Sequence, residues 1–531
     1  MTGALQASSS PRSGRVIGSH RRCAVGAWKA CDAMTGALQA SSSPRSGRVI
    51  GSCRRSLARA RKMGDAMTGA LQDWMALARR HGQEHVFRWW DELDASQREH
   101  LLAQVAQVDF DLLKKLIAED GPSPRCTLSP AKIIRIPQDK KALAGAEQAM
   151  KIGEAALAQG RIAVITVAGG LGTRLGIKVP KGTLPIAPIS KKSIFQLHAD
   201  KIRALQRRYG AKLPWYIMTS DGTDEQTRAY FKRHRFLGLS AKNVCFFRQA
   251  WMPVVGLDGK LLMVDKHSLS TSPNGHGGVI RALKDSGCLD DMRRRCVTDV
   301  FYFQVDNVLI RLADPVFLGY HLRAQAGMSL KVVAKRDAEE GLGVVGRADG
   351  KLRVVEYSDL SKEDKYATNR DGSLKYSMGT IAIHAFSVDF LERQAARDVL
   401  PYHRAIKRVS FLGPDGRLVE PKDKNAIKFE KFVFDALPFA RRAVVMEVRR
   451  EDEFSPIKAD TGPDSPESAR LAMRDQFARW LREAGVAIPT DAQGHAACEI
   501  EISPLFALDP DELKRKLHRR RLRVGKRLIL S

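Results

Sequence analysis

Apolar positions change rhythm near residue 161. Upstream, from Gln72 to about Leu116, they recur at helical spacing, with Trp74, Leu77 and Ala78 at i, i+3 and i+4. The stretch GQEHVFRWWDELDASQREHLLAQVAQVDFDLLKKL predicts two or more amphipathic helices. KALAGAEQAMKIGEAALAQG (141–160) predicts another, closed by Gly160. Downstream, RIAVITVA, LPWYIMTS, NVCFFRQ and DVFYFQVDN read as buried strands. KSIFQLHADKIRALQRRYG, DEQTRAYFKRH and GGVIRALKDSG read as the helices between them. This β–α–β alternation predicts an α/β fold with a mostly parallel sheet and helices on both faces. Ligands of such sheets lie at the carboxyl ends of the strands, where AGGLGTRLG, TSDGT, RQ and VDN all fall.

The chain of 531 residues is too long for one simple core. Its changes of style suggest four parts: a basic extension (1–66), a helical N-terminal domain (67–160), an α/β domain (161–457), and a small C-terminal domain with a basic tail (458–531). MTGALQASSSPRSGRVIGS occurs identically at 1–19 and 34–52, and DAMTGALQ recurs at 65–72. Such Ser/Gly/Arg-rich sequence buries no core, so 1–66 reads as a disordered tandem duplication, with Met63 or Met67 as the biological start.

The formal net charge of +29 raises the question of nucleic acid. Residues 1–66 hold 12 Lys/Arg against 2 Asp/Glu, and residues 511–531 hold 9 against 2, so most of the excess lies at the ends. End runs of charge are usually solvated tails, and the moderately basic middle suits a phosphate-rich substrate. Nucleic acid and membrane are therefore not expected partners. No apolar run approaches the roughly 18 residues of a membrane span. The eight cysteines are scattered without a C-x-x-C pair, and no secretory h-region is visible, so reduced thiols and a cytoplasmic location are expected.

The densest chemistry is VAGGLGTRLGIKVPKG (167–182). It lacks the P-loop pattern G-x-x-x-x-G-K-[ST]. Gly170, Gly172 and Gly176 are spaced G-x-G-x-x-x-G, not as the Rossmann G-x-G-x-x-G. Exposed N–H groups of 169–173 would cradle phosphates or a base edge. Arg174 offers a planar fork for phosphate oxygens, and Lys181 a point charge. Asp306, ending an apolar strand in QVDN, reads equally as a strand-end cap or a ligand of Mg²⁺, which needs only one or two carboxylates beside substrate phosphates. SPNGHGGVIRAL (272–283) opens a helix whose bare N–H groups would suit an anion or a polar sugar or base edge. In NAIKFEKFVFD (425–435), Lys428 and Lys431 flank packing phenylalanines and could reach a phosphate.

VAGGLGTRLGIKVPKG, PWYIMTS, NVCFFRQ, GHGG, VDNVL, VVEYSDL, NAIKFEKFVFD and REDEFSPIK, in this order, resemble the UDP-sugar pyrophosphorylases. The likeness is greatest to the UDP-N-acetylhexosamine pyrophosphorylase branch and runs over roughly residues 80–505, including GQEHVFRWWDEL and CEIEISPL. The resemblance implies a Rossmann-like, GT-A-like nucleotidyltransferase fold. It also implies a reaction: UTP and a sugar 1-phosphate give a UDP-sugar and pyrophosphate, with Mg²⁺, in a monomer or weak homo-oligomer. By the same resemblance Ala168, Gly169, Gly170, Gln249, Gly275 and His276 bind the nucleotide. Arg174, Lys181 and Lys428 hold phosphates, and Asp306 carries the metal. Gly343, Glu356, Ser377, Phe432, Phe434 and Lys458 line the sugar side. One departure bears on the sugar. The branch carries NAGNIANH where this chain has SMGTIAIH (377–384), so Ser377, Thr380 and Ile383 replace three asparagines, the first of them a sugar contact. N-acetylglucosamine 1-phosphate is favoured. Glucose 1-phosphate, a broad UDP-sugar pyrophosphorylase, and a non-catalytic nucleotide-sugar-binding protein are the alternatives.

Overall fold

The computed structural model describes residues 71–119, 127–172, 175–177, 179–518, 522 and 524–531. The repeat-bearing extension 1–66 and Arg174 lie outside the described residues. The amphipathic pattern that opens the described chain becomes helical residues 71–80, two 3₁₀ turns, and the helices Ala95–Val105 and Phe110–Ala118. Asp94 and Asp109 cap these two helices, each accepting from the backbone N–H three residues on.

The centre is a ten-stranded mixed sheet. Its strands in chain order are β1 (Leu128–Pro130), β2 (Ile162–Val167), β3 (Trp215–Thr219), β4 (Val244–Arg248), β5 (Asp299–Gln304), β6 (Met328–Ala334), β7 (Val344–Ala348), β8 (Lys351–Val355), β9 (Met378–Ser387) and β10 (Ala443–Glu447). The spatial order is β1-β7-β9-β5-β2-β3-β4, with β6 pairing both β9 and β10, and β8 pairing β7. The block β5-β2-β3-β4 is parallel, in register from Asp299↔Ile162 to Gln304↔Val167 across its first pair. β9 runs antiparallel to β5 and to β6. β2 and β3 are nearly continuous apolar runs because both faces of a parallel strand are covered. A separate three-stranded sheet joins His403–Lys407, Ala426–Glu430 and Val255–Gly256.

Helix ends follow their caps. Ser193 accepts from the Gln196 N–H at the start of Ile194–Tyr209, and Gly210 closes it at φ 66°. Gly160, at φ 69°, follows the helix Lys140–Ala158. That helix lies against Pro315–Arg323 so closely that a Cβ on Gly153 would stand 2.7 Å from the Pro315 carbonyl carbon. One hydrophobic cluster runs from Ala149 through β2 and β5 to Phe477, Ile500 and Leu517.

Candidate active site

The loop after β2 folds back on itself. The Gly172 N–H donates to the Val179 carbonyl, and the Lys181 N–H donates to the Gly170 carbonyl, so Leu171 and Pro180 bridge. The Ser220 hydroxyl, just beyond β3, donates to the Gly169 carbonyl at 2.7 Å, and the Ala168 N–H is used by Met218. The N–H groups of Gly169 and Gly170 have no hydrogen-bond acceptor among the described residues, which leaves two adjacent donors for a ligand. The buried Gln249, one residue beyond β4, sets its amide carbon 3.5 Å from where a Gly169 Cβ would be. The fold-back carries Lys181 across to the end of β5. Its Nζ lies 3.0 Å from Asp306 Oδ2, with side-chain exposures of 18% and 10%. A cation from the loop after β2 and a carboxylate from the turn after β5 thus meet.

The Asp306 turn is braced from behind. The Asp306 carbonyl accepts from the Ile457 N–H at 3.1 Å. The Asn307 amide donates to the Glu453 carbonyl and accepts from the Ser455 N–H. Glu453 in turn joins Lys331 at 2.6 Å, and Lys331 joins Asp314 at 2.8 Å, in a cluster almost closed to solvent. Burial pushes Glu453 above the usual carboxylate range. Asp314 is held below it, because the Lys331 and Arg311 charges outweigh burial. Lys458 emerges from this latch exposed.

A ring cluster gathers next, linked to the Asp306 latch through the charge of Lys458, which acts on both His276 and Glu356. Gly275 has φ 83° and ψ 166°, a conformation open almost only to glycine, and a Cβ there would lie 2.7 Å from the Lys431 nitrogen. This close approach stacks His276 on Phe432, with centroids 5.3 Å apart and planes at 19°. His403 stacks on Phe432 at 4.4 Å. Phe434 is buried in the core, 5.7 Å from His276. Burial, with the charges of His403 and Lys458, pushes His276 down to about 4, so its ring is neutral. The His276 Nδ1 accepts the Val433 N–H at 3.2 Å. His403 is the reverse case. Burial would lower it, but its 2.8 Å hydrogen bond to Asp435 and that carboxylate's charge leave it raised. Burial raises Glu356, with Asp359 and Asp435 adding to the rise and His403 and Lys458 opposing it.

Beyond Glu356, a Cβ on Gly343 would lie 3.3 Å from Glu356 Oε1 and 3.6 Å from the Thr380 methyl, and the Thr380 N–H donates to the Gly343 carbonyl. Ser377 is half-buried, and its carbonyl accepts from the Lys335 N–H. Lys428 stands on the small sheet opposite Ala405, half-buried. Burial lowers it, with Glu430 opposing and Lys407 assisting. It has no ion pair among the described residues, whereas Lys431 is taken by Asp398 at 2.7 Å.

Residues 113–464 match the family described as UTP–glucose-1-phosphate uridylyltransferase. The chain is 37% identical over 481 residues to human UDP-N-acetylhexosamine pyrophosphorylase-like protein 1, covering 83% of this chain and 94% of that protein. It is 36% identical over 434 residues to the UDP-N-acetylglucosamine pyrophosphorylase of Saccharomyces cerevisiae, covering 77% and 90%. Among solved structures, the uridine diphosphate N-acetylglucosamine pyrophosphorylase of Trypanosoma brucei, in complex with an inhibitor, superposes with a TM-score of 0.72. It shares 27% identity over 86% of this chain and 98% of that one. The chain belongs to the UTP–glucose-1-phosphate uridylyltransferase family.

For a uridylyltransferase the site shows one clear departure from expectation. The helix opening at SPNGHGGVIRAL is no anion cradle. The Gly277 N–H donates to the Lys431 carbonyl and the Gly278 N–H to the Gly275 carbonyl, and the regular helix begins only at Val279. Its glycines serve close packing against Lys431 and Phe432. Two participants in the site, His403 and Lys331, lie in no quoted motif, and two others, Asp435 at the end of NAIKFEKFVFD and the core-facing Glu453, lie in motifs that did not single them out. REDEFSPIK contains Glu453, but four consecutive residues are charged or apolar in a way that does not single out the inward one. No group of three or more His, Cys, Asp or Glu poised for a metal occurs among the described residues. Asp306 alone therefore fits a cation that arrives largely coordinated by substrate phosphates.

Proposed function

We propose that this uridylyltransferase converts UTP and a sugar 1-phosphate, with N-acetylglucosamine 1-phosphate favoured, to the UDP-sugar and pyrophosphate. The observation that carries the reading is the 3.0 Å meeting of Lys181 and Asp306 at the end of a loop with two unused N–H donors. Relatives named UDP-N-acetylglucosamine pyrophosphorylase support the sugar. Gly169, Gly170 and Gln249 take the uracil and the adjoining backbone. Gly275 and His276 complete the nucleotide side, and Ala168 sets the loop's exit. Asp306 would hold Mg²⁺, which would neutralise phosphate oxygens.

The nucleophile, an oxygen of the sugar phosphate, is already an anion, so the reaction needs no general base. That oxygen bonds to the α-phosphorus of UTP as the bond to the β-phosphate oxygen breaks, and the electron pair leaves with pyrophosphate. The protein's task is to bring two polyanions together and to stabilise charge as it moves. Lys181 would meet the leaving pyrophosphate, a role that the family resemblance extends to Arg174, and Lys428 the sugar phosphate or α-phosphate. Lys428's burial without a carboxylate partner suits a cation that waits for phosphate. Gly343, Glu356, Ser377, Phe432 and Lys458 bound the sugar, and Phe434, expected beside them, backs His276 from the core instead.

Glucose 1-phosphate is the second reading, favoured by Ser377, which presents no amide. A pyrophosphate-release panel separates them, with UTP and other nucleoside triphosphates set against N-acetylglucosamine, N-acetylgalactosamine, glucose and galactose 1-phosphates. The expected result is release from UTP with N-acetylglucosamine 1-phosphate as the best partner. Release from UTP with none of the sugar phosphates refutes the reading. No described helix is long and apolar enough to cross a membrane. The four described cysteines are free thiols, in keeping with a cytoplasmic protein.

A further inference from the structure

A cleft of about 820 Å³ opens at the amino-terminal edge of the sheet, at the opposite end of the strands from the glycine loop. Arg161, Arg293, Arg323, Arg393, Arg441 and Arg442 line it, with no lysine. They come from five separated parts of the chain. Arg161 leads into β2, and Arg441 and Arg442 lead into β10. Arg293, Arg323 and Arg393 lie on the helices Cys288–Arg294, Pro315–Arg323 and Val388–Arg397. Part of this charge is answered within the protein. Arg293 is paired with Asp389 and Glu392, and Arg393 lies beside Glu392. Arg323 ends a helix, where a cation complements the carbonyl end of the dipole. Arg161, Arg323, Arg441 and Arg442 make no ion pair with a carboxylate among the described residues, Arg161 donating to the Thr298 hydroxyl and Arg323 lying over the Tyr320 ring. Arg442 donates only to the neutral Gln325 amide, at 2.6 Å. The cleft therefore holds an excess of unanswered guanidinium.

We propose that this cleft is a binding site for a phosphate-chain anion such as a short inorganic polyphosphate, separate from the catalytic site. Guanidinium forks grip phosphate oxygens in pairs, and an all-arginine lining matches that geometry better than lysine would. The volume exceeds what one phosphate needs. Phe, Tyr and Trp are absent from the described lining, so nothing there offers a base a stacking face. The ligand is thus rich in phosphate and free of any requirement for a base. The floor is fixed. Arg161 Nε donates to the Thr298 hydroxyl, which donates to Asp299, and Asp299 meets the buried His321. β2 and β5, which start on this floor, run six residues, or about 20 Å, to the glycine loop and to Asp306. That distance makes the two sites independent of one another's side chains.

The test is calorimetric titration of the full-length chain with sodium tripolyphosphate, with saturating UDP-N-acetylglucosamine filling the catalytic site. One tripolyphosphate per chain is expected to bind. The triple variant Arg393→Gln/Arg441→Gln/Arg442→Gln is expected to bind at least tenfold more weakly with unchanged turnover. Lys181→Ala is expected to bind as the parent does. Absence of binding, or equal binding by the triple variant, overturns the proposal. So does a charge-matched single-stranded RNA that loses affinity in the triple variant while tripolyphosphate does not, because the cleft would then be reading nucleic acid.

Discussion

Replacing Lys181 by alanine separates a working phosphate clamp from a static surface pair. In the free protein its ammonium sits 3.0 Å from Asp306. At an effective dielectric of about 20, the gross attraction at that distance is about 5 kcal/mol. Desolvation removes most of it, and both side chains retain some solvent contact, so the net loss of stability should be only about 1–3 kcal/mol. Spread over more than four hundred folded residues, that moves a melting temperature little. The kinetic effect should be far larger. If Lys181 meets charge on the departing pyrophosphate, its loss should cost on the order of 10²–10³ in turnover, about 2.7–4 kcal/mol of barrier. Steady-state pyrophosphate release from purified, folded Lys181→Ala measures this directly. Asp306→Ala and the double variant complete a cycle. Residues acting on one phosphate group act as a unit, so the double loss should fall well short of the product of the single losses. Turnover of Lys181→Ala within tenfold of the parent would refute the assignment, and so would strictly multiplicative losses.

Gly275→Ala forces a Cβ to within 2.7 Å of the Lys431 nitrogen at a φ of 83°, so a loss of about 1–3 kcal/mol and a raised KM for UTP are expected; wild-type melting and KM would exclude the close approach. Glu453→Gln takes one of two carboxylates from the buried Lys331 and leaves Asp314 at 2.8 Å as its partner, so a loss of about 1–3 kcal/mol by urea titration is expected, the cost of one charge-assisted hydrogen bond; an unchanged midpoint would show that Asp314 alone holds the ammonium. Burial depresses His198 to about 3, His276 to about 4 and His384 to about 3. As pH falls below 6.5 the unfolded chain therefore takes up protons that the folded chain refuses, and each of these histidines should cost about 2 kcal/mol by pH 5. His403, raised by Asp435, works the other way: its contribution is full below 6.5 and is lost as pH rises through its folded value. Stability that did not fall between pH 6.5 and 5 would contradict the three buried neutral rings.

What the sequence disclosed depended on how far each signal is local. β2, β3 and β5 were legible because central parallel strands are apolar on both faces, the edge strand β4 from its apolar run VCFF, and helix ends from Gly160 and Gly210, both in the left-handed region. The glycine loop was legible as a ligand site, but the meeting of Lys181 with Asp306, which the fold-back onto Pro180 delivers, spans 125 residues and leaves no pattern. The GHGG turn misled for a related reason. Glycines that admit a ligand and glycines that admit a neighbouring backbone look alike until Lys431 is seen to take the Gly277 N–H. The pairing of His403 with Asp435 was invisible, although Asp435 closes NAIKFEKFVFD, because a single histidine and a single aspartate 32 residues apart carry no periodicity.

The three replacements in SMGTIAIH are not equal once they are placed. β9 bulges here: Leu330 opposes His384 and Val332 opposes Thr380, so two residues of advance on β6 face four on β9, and Ala382 takes φ 56°. Within the bulge Ile383 is wholly buried in the main core. An asparagine there would meet core, not sugar, so this replacement bears on packing alone. Thr380 has only 8% exposure and is tied to Gly343 through its N–H. Ser377, half-buried and with its carbonyl held by Lys335, is left as the one position of the three where side-chain length decides what reaches the sugar. An amide at this point adds about one hydrogen bond, about 1 kcal/mol. Ser377→Asn is therefore expected to lower the KM for N-acetylglucosamine 1-phosphate about fivefold and to leave that for UTP unchanged. Equal shifts for both substrates would mean that the substitution acts through the β9 backbone. No shift for either would mean that selection of the sugar resides elsewhere, with Glu356 and Gly343, which adjoin one another, the next positions to vary.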